Sequence, residues 1–140
     1  MFVEITEMII ASEQVMAKVK RDVHGAVVTF NGVIRDHSEG KKVICVEYEA
    51  FKEMAEKKLW EIIREIESRW GLEDVIIIHR VGRMDVGEIA VVIAVASPHR
   101  MPAFEACEYA IDRIKQIVPI WKKEVFEQGE NWVGPSGQLQ

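Results

Sequence analysis

The fold is decided by residues 89–106, which read IAVVIAVASPHRMPAFEA. The first eight of them, 89–96, are an unbroken run of β-branched residues and alanines, which predicts a strand buried on both faces. Pro102 suits the first turn of a following helix, because that position needs no backbone N–H. His99 and Arg100 lie at the junction, close to the free N–H groups of that helix. The pattern is typical of an anion-binding site, and equally of a surface turn with an incidental His-Arg pair.

Size and composition predict one globular domain. The chain has 140 residues, 49% of them hydrophobic, and a formal net charge of −5. This length suits a single core, so we assign residues 1–127 to one α+β domain and residues 128–140 to a C-terminal arm or tail. The acidic balance excludes a generic basic surface for nucleic acid. The acidic N-terminus is unlike a signal peptide, and no apolar run approaches the roughly 20 residues of a membrane span, so we expect a cytoplasmic protein.

Hydrophobic periodicity outlines the element order βαββαββαβ. This order favours an α+β fold with a mixed, largely antiparallel sheet and three helices. Ser12 is placed to cap the first helix, and the polar loop at residues 36–42 favours a hairpin between the strands on either side. The expected strands are residues 2–10, 25–34, 43–50, 74–83, 89–96 and 120–126, and the expected helices are residues 12–24, 51–70 and 102–118.

The cysteines and histidines predict no metal centre. Cys45 and Cys107 stand far apart in unlike contexts, which favours two buried, reduced thiols over a disulfide or a metal pair. No CxxC, HxxxH or HExxH spacing occurs, so we predict no metal site. The chain also has no Gly-rich phosphate loop and no GxSxG elbow.

Cation-capable side chains stand at or near the ends of predicted elements, where side chains from several elements can converge. They are Arg35, His99, Arg100, Lys115 and Lys122. Lys115 lies at the edge of the apolar stripe of its helix, in the last turn. Two interpretations of this lysine stay open: an ammonium that the helix dipole favours, or a partly desolvated acid, base or nucleophile.

Five ordered motifs carry a family resemblance that spans roughly residues 2–133. They are GAVVTFNGVIRDH (25–37), EYEA (47–50), HRVG (79–82), SPHR with AFEA (97–106) and PIWKKE (119–124). Together they resemble the large, catalytic subunit of molybdopterin synthase, which has an α/β-hammerhead-like fold. The resemblance implies a sulfurtransferase of molybdenum cofactor biosynthesis. Such an enzyme converts cyclic pyranopterin monophosphate to molybdopterin by installing two dithiolene sulfurs.

The resemblance also implies partners. A small ubiquitin-like subunit would bring each sulfur as the thiocarboxylate of its C-terminal Gly-Gly, and two large subunits would form the central dimer of a heterotetramer. It implies no cofactor bound by this chain. Some relatives carry an arginine shortly after the Trp-Val near the C-terminus that reaches the neighbouring subunit. Here Trp132 and Val133 are followed by Gly134-Pro135-Ser136, so a cross-dimer arginine from this tail is not expected.

Carried over residue by residue, the resemblance implies two catalytic lysines, Lys115 and Lys122. The substrate would be bound by Val33, Ile34, Arg35, His99, Arg100, Lys123 and Glu124. Strand geometry qualifies this set, because Lys122 and Lys123 project to opposite sides of a strand and at most one of them belongs to a given pocket.

Two other classes of function fit the same cations. The first is a non-catalytic binding module for a small phosphorylated ligand, and the second is an oligomeric scaffold whose basic residues dock an acidic partner. Replacement of Lys115 separates them: it would abolish turnover in an enzyme, weaken only ligand binding in a binding module, and affect only assembly in a scaffold.

Overall fold

The computed structural model describes residues 1–127 and 129–134, and it folds them into three helices and two sheets. The helices are α1 (Ser12–Val19), α2 (Lys52–Trp70) and α3 (Arg100–Ile117). The strands are β1 (Phe2–Thr6), β2 (Ala26–Val33), β3 (His37–Ser38), β4 (Lys41–Ala50), β5 (Val75–Arg80), β6 (Gly82–Asp85), β7 (Ile89–Ser97), β8 (Ile120–Phe126) and β9 (Gly129–Val133). The α+β class and the order of the longer elements are confirmed, and three short strands, β3, β6 and β9, are added.

The first sheet has the strand order β1-β5-β7-β2. Only β1 and β5 are parallel in this sheet, and both partners of β7 run antiparallel to it. The interior strand β7 is buried on both faces, as its apolar run predicts. Val91, Ile93 and Val95 join the core formed with α2 and α3, while Val92 and Ala94 join the core under α1.

Helix α2 supplies the largest part of the main core. Leu59, Ile62, Ile63 and Ile66 recur at helical spacing and are fully buried. Burial of each such side chain contributes about 1.5–3 kcal/mol. The helix ends at Gly71, whose φ of 67° is left-handed and whose N–H donates to the Glu67 carbonyl at 2.8 Å. The sequence-based bounds of this helix are therefore confirmed to within one residue.

The second sheet is built around β4, which pairs antiparallel with β3, β6 and β8, and β9 adds to β8. The expected hairpin across residues 36–42 is wrong, because β2 pairs with β7 and β4 pairs with β8. The loop instead closes its own small hairpin, in which His37 pairs with Lys42. Glu39 and Gly40 make that turn with φ of 51° and 77°. The two long strands therefore leave the loop into different sheets, and a cavity opens between them.

Two expected strands are shorter than their apolar patterns. The first ends at Thr6 rather than at residue 10, because the Thr6 hydroxyl accepts the N–H of Met8 at 3.0 Å and turns the chain. The strand expected at 74–83 divides into β5 and β6 at Gly82, whose φ of 97° few other residues adopt. Its two halves pair with different sheets.

Two helices also differ from expectation, and α1 ends at Val19 rather than at residue 24, because Lys20 is extended. The N-cap of α1 is Ala11 and makes no side-chain cap, and the hydroxyl of Ser12 donates instead to Oδ1 of Asn31 at 2.5 Å. Helix α3 begins at Arg100, two residues before Pro102, so His99 becomes its N-cap. Its C-terminal bound lies one residue short of the expected Val118.

Part of the expected C-terminal arm is ordered. Residues 129–133 form β9, which pairs with β8 from Gly129 opposite Phe126 to Val133 opposite Lys122. Residue 128 and residues 135–140 lie outside the described part of the chain. Cys45 and Cys107 are free and buried, as predicted. Within residues 1–127 and 129–134, no helix is both long and apolar enough to cross a membrane.

Candidate active site

A cavity of about 300 Å³ opens where the two sheets diverge. One wall is the C-terminal part of β2 and the segment after it, a second is the last turns of α3, and the third is the inner face of the second sheet. The residues that reach it with polar or charged side chains are Asn31, Arg35, His37, Tyr48, His79, Lys115, Lys122 and Glu124. A volume of this size suits a small ligand or the threaded end of a peptide.

The structure brings the two predicted catalytic lysines to one cavity. Lys115 lies in the last turn of α3, on the same side of the helix as Ile111 and Ile114, and all three line the cavity. Lys122 projects into it from β8, which follows α3 after the break at Pro119. The break turns the chain back along the helix end, so two lysines seven positions apart converge.

Lys122 is largely shielded from solvent and lies near a buried carboxylate, Glu124. Its side chain is 15% exposed, and Nζ lies 3.9 Å from Oε2 of Glu124. Burial lowers the pKa of Lys122 below its ordinary value, Glu124 opposes this shift, and the positive charges of Arg35 and Lys115 add to it. A lysine of this kind gives up its proton more readily than one in water, which suits a role in proton transfer.

Glu124 and Tyr48 share the inner face of the second sheet with Lys122. Tyr48 pairs directly with Lys122 across β4 and β8, and Glu124 follows two residues later on the same face. Burial, and after it the charge of Glu124, raises the pKa of Tyr48 to about 12. The phenol therefore keeps its proton at neutral pH and remains a hydrogen-bond donor.

His79 enters the same cavity from β5. It is 5% exposed, and its ring lies edge-on to Tyr48 with centroids 5.1 Å apart. Nδ1 is 2.8 Å from the carbonyl of Arg80, which fixes the proton on Nδ1 and leaves Nε2 as an acceptor. Burial lowers the pKa of His79 to about 4, so the imidazole is neutral at physiological pH.

Arg35 reaches the mouth of the cavity because β2 ends in a bulge. The register between β2 and β7 shifts between Gly32 and Val33. A Cβ on Gly32 would lie 2.7 Å from Cγ1 of Val91, so the close approach of the two strands requires glycine. Val33 is exposed, Ile34 is buried with its backbone paired to Glu88 and Gly87, and Arg35 is exposed beside them. The predicted segment 33–35 therefore lines the cavity.

His99 and Arg100 are not brought to this cavity. They sit at the start of α3, whereas Lys115 is in its last turn, and fifteen residues of helix separate Arg100 from Lys115 by about 22 Å. Both residues are exposed. Within one chain they form a separate basic patch at the opposite end of the helix.

Lys123 also lies away from the cavity. Its Nζ is 2.6 Å from Oε2 of Glu47 and 3.3 Å from Oε2 of Glu130, and it stands over the ring of Trp132 at 5.5 Å. These groups belong to the outer face of the second sheet, as the alternation along β8 requires.

Of the nine residues assigned to the site from the sequence, six line the cavity: Val33, Ile34, Arg35, Lys115, Lys122 and Glu124.

Tyr48 and His79 are cavity residues that the sequence did not assign to the site. The missing information was the pairing of β4 with β8, which places Tyr48 opposite Lys122. Among residues 1–127 and 129–134, no group of three or more His, Cys, Asp or Glu side chains is arranged to hold a metal ion.

Comparison with known proteins agrees with this architecture. The family model described as MoaE protein matches residues 5–117. A molybdopterin synthase catalytic subunit from Bacillus subtilis is 52% identical over 131 residues, covering 94% of this chain and 83% of that relative. The crystal structure of molybdopterin synthase from Staphylococcus aureus superposes with a TM-score of 0.89 at 48% identity, covering 92% of this chain and 94% of that one. A complex of subunits 1 and 2 of molybdopterin-converting factor from Helicobacter pylori, at 15% identity and a TM-score of 0.76, shares the fold, covering 93% of this chain and 88% of that one.

The fold and the cavity define a small α+β protein with three cations gathered around one enclosed carboxylate, an arrangement suited to an anionic ligand. Two findings show its family: the family model matches most of the chain, and the sequence is about half identical to catalytic subunits over nearly its whole length. The chain belongs to the MoaE protein family.

Proposed function

We propose that this chain is the catalytic subunit of a molybdopterin synthase. The observation that carries the proposal is the convergence of Lys115, Lys122 and Arg35 on one cavity, in a chain 52% identical to a protein of that name. The substrate in this proposal is cyclic pyranopterin monophosphate, and the product is molybdopterin. A cytoplasmic location, expected from the sequence, stays a prediction.

The sulfur donor in this proposal is a small ubiquitin-like subunit with a C-terminal thiocarboxylate. A solved structure of similar fold is a complex of the two subunits of a molybdopterin-converting factor, which supports a partner of this kind. No cofactor of the chain's own takes part, because the partner carries the sulfur.

The charges of the cavity suit the two reactants. The thiocarboxylate and the cyclic phosphate are both anions, and they repel each other in water. Arg35, Lys115 and Lys122 supply the opposite charge that holds them together, so that the sulfur can approach a carbon of the substrate. Arg35 offers a planar fork of donors for a phosphate, and the lysines are compact point charges.

The lysines have a chemical role in each transfer. The sulfur of the thiocarboxylate forms a new C–S bond to the substrate, an oxygen of the substrate leaves with a proton, and hydrolysis of the acyl–sulfur bond returns the partner as a carboxylate. Lys122, with its lowered pKa, suits donation of that proton. Lys115 stabilises the negative charge that develops. A transient acyl adduct on Lys115 is a weaker hypothesis, and intact-mass spectrometry under turnover that finds no adduct would count against it.

A dimer of this chain would resolve the separation of His99 and Arg100 from the lysines. These residues lie about 22 Å from Lys115 along α3, so they cannot bind the same small substrate in one chain. If they contact that substrate, a second copy must present them. We therefore include a symmetric dimer in the proposal, with each substrate site completed by both chains.

The deciding experiment is anaerobic conversion of cyclic pyranopterin monophosphate by this chain, with and without a thiocarboxylated small subunit. Product is read after oxidation to its fluorescent derivative. We expect product only when the thiocarboxylated partner is present, and none with the unmodified carboxylate form. Binding of both reactants without product would leave a binding module, and the catalytic roles of Lys115 and Lys122 would be withdrawn.

A further inference from the structure

Arg80 belongs to the motif HRVG at residues 79–82, of which the cavity uses only the histidine. His79 and Arg80 are successive residues of β5, so their side chains project to opposite faces of the first sheet. The Arg80 side chain is 13% exposed, and its Nε is fully enclosed without a hydrogen-bond partner among residues 1–127 and 129–134. An enclosed guanidinium needs an anion held close to it, because an unpaired buried charge is costly.

That anion is the carboxylate of Glu88, at the end of the turn between β6 and β7. Nη1 of Arg80 donates to its Oε1 at 3.2 Å, and the backbone N–H of Asp85 donates to its Oε2. The backbone N–H of Glu88 closes the turn onto the Asp85 carbonyl at 3.1 Å, and Gly87 supplies a φ of 89°. The bonds from Asp85 and then Arg80 lower the pKa of Glu88, which keeps the carboxylate charged. This carboxylate therefore joins Arg80 to the turn.

The same turn holds the backbone immediately before Arg35. The N–H of Ile34 donates to the Glu88 carbonyl at 3.0 Å, and the N–H of Gly87 donates to the Ile34 carbonyl at 2.7 Å. Ile34 is buried and belongs to the same small core as Met84 of β6. Arg35 follows it directly and lines the cavity. A displacement of the turn would therefore be passed to Arg35 through a pair of backbone hydrogen bonds.

We propose that Arg80 is a positioning residue for anion binding: through Glu88 and the turn at residues 85–88, it sets where Arg35 presents its guanidinium. The inference rests on the proposed function, in which Arg35 binds the phosphate of the substrate. Arg80 itself does not touch the substrate, because it projects from the face of β5 opposite to His79. A guanidinium binds phosphate through donors with fixed directions, so a small displacement of its backbone weakens the contact.

Inorganic phosphate is the probe, because it tests Arg35 without the rest of the substrate. Its affinity for the full-length chain is measured by phosphorus NMR in the wild type, Arg80→Met, Arg35→Ala and the double variant. We expect Arg80→Met to weaken binding by about fivefold, and the double variant to bind no more weakly than Arg35→Ala alone. Independent effects that multiply in the double variant would overturn the proposal. Wild-type affinity in Arg80→Met, or no phosphate binding by the wild type, would overturn it as well.

Two further substitutions separate positioning from loss of charge. Arg83→Met is the matched control, because Arg83 pairs with Asp85 of the same turn at 3.3 Å through an exposed side chain. It should leave phosphate affinity within about twofold of the wild type. Arg80→Lys keeps a cation beside Glu88 and should bind phosphate at least about twofold more tightly than Arg80→Met. Equal weakening in Arg83→Met and Arg80→Met would show that net charge alone matters, and the positioning role would be withdrawn.

Amide hydrogen exchange shows whether the turn loosens. Arg80→Met should speed exchange of the Ile34 and Gly87 amides by about tenfold or more relative to core amides of β7. Weakened phosphate binding with unchanged exchange at these two amides would refute the route through the turn. If Arg80→Met does not fold, Glu88→Gln takes its place in every comparison, because its amide oxygen can still accept from the Asp85 N–H while the ion pair is lost.

Turnover separates this inference from the proposed function. Arg80→Met should raise KM for cyclic pyranopterin monophosphate by about fivefold and leave kcat within about threefold, a split that a smaller folded fraction does not produce. Turnover by the wild type, with independent effects of Arg80→Met and Arg35→Ala, would refute the positioning role and leave the sulfurtransferase intact. Coupled effects on phosphate binding without turnover would support the positioning role and refute the sulfurtransferase.

Discussion

Lys122 and Lys123 are neighbours in the chain and project from opposite faces of β8. Lys122 faces the cavity, 3.9 Å from Glu124, and Lys123 faces outward, 2.6 Å from Glu47. Lys122→Ala should therefore reduce turnover by at least about a hundredfold, since it removes a proton donor and a charge from the reaction site. Lys123→Ala should retain turnover within about threefold, because its ion pairs with Glu47 and Glu130 lie outside the cavity.

The measurement for this pair is the initial rate of product formation with saturating thiocarboxylated partner. The two variants differ by one position and remove the same side chain, so each controls for the loss of a lysine from β8. Equal loss of activity in the two variants would show that the activity does not depend on which of the two lysines faces the cavity.

Gly32 holds the bulge that directs Arg35 to the cavity. A Cβ at this position would lie 2.7 Å from Cγ1 of Val91 and 3.3 Å from the ring of Phe30. We expect Gly32→Ala to destabilise the fold by about 1–3 kcal/mol and to weaken phosphate binding, because β2 must move away from β7. Urea unfolding and phosphate titration measure the two effects. Val91→Ala in the same chain removes the clashing atom and should restore binding; a double variant no better than the single one would contradict this account.

The sulfur should not pass through a thiol of this chain. Cys45 and Cys107 are 3% and 4% exposed, and burial raises the pKa of Cys107 to about 11. At pH 7 only about one Cys107 in ten thousand would be a thiolate, and only the thiolate is nucleophilic. The double variant Cys45→Ala, Cys107→Ala should keep most of the turnover of the wild type at a temperature where it is folded. Loss of turnover in a folded double variant would point to a protein-bound sulfur intermediate.

The buried, neutral His79 is expected to make the folded protein less stable in mild acid. In the unfolded chain His79 takes up a proton with its ordinary pKa of 6.5, whereas in the folded chain its pKa is about 4. The free energy of unfolding is therefore greatest above pH 6.5 and falls as the pH drops toward 4. The full effect is about 3 kcal/mol. Chemical denaturation at pH 7 and pH 4.5 should show this decline, and His79→Phe should flatten it.

Local patterns in the sequence were sufficient for the existence of the three helices and for the position of Lys115, because helical spacing is a local property. The apolar stripe of α2 and the position of Lys115 in the last turn of α3 were both predictable. Strand pairing is not local. The sequence could not show that β2 and β4 belong to different sheets, and so it predicted a hairpin where a cavity opens.

The same limit applies to individual side chains of the site. Tyr48 and His79 became cavity residues only when β4, β5 and β8 were placed together. Family resemblance grouped His99 and Arg100 with the lysines, although the predicted helix already separated them, and the structure places them at opposite ends of α3. A residue list inherited from relatives does not say which chain presents each residue.

That separation yields a complementation experiment. If the substrate contacts both residues, as proposed, His99→Ala and Lys115→Ala should each abolish turnover. In a symmetric dimer whose sites use Lys115 of one chain and His99 of the other, a mixture of the two variants forms mixed dimers with one intact site. Random mixing makes half the dimers mixed and repairs one of their two sites, so about a quarter of the wild-type activity should return. Arg35→Ala mixed with Lys115→Ala is the matched control, because both residues line the cavity of a single chain and no mixed dimer repairs a site.

Recovery in the first mixture alone would establish a site shared between chains. Recovery in neither, with subunit exchange shown by mass spectrometry, would mean that His99 acts within its own chain and away from the lysines.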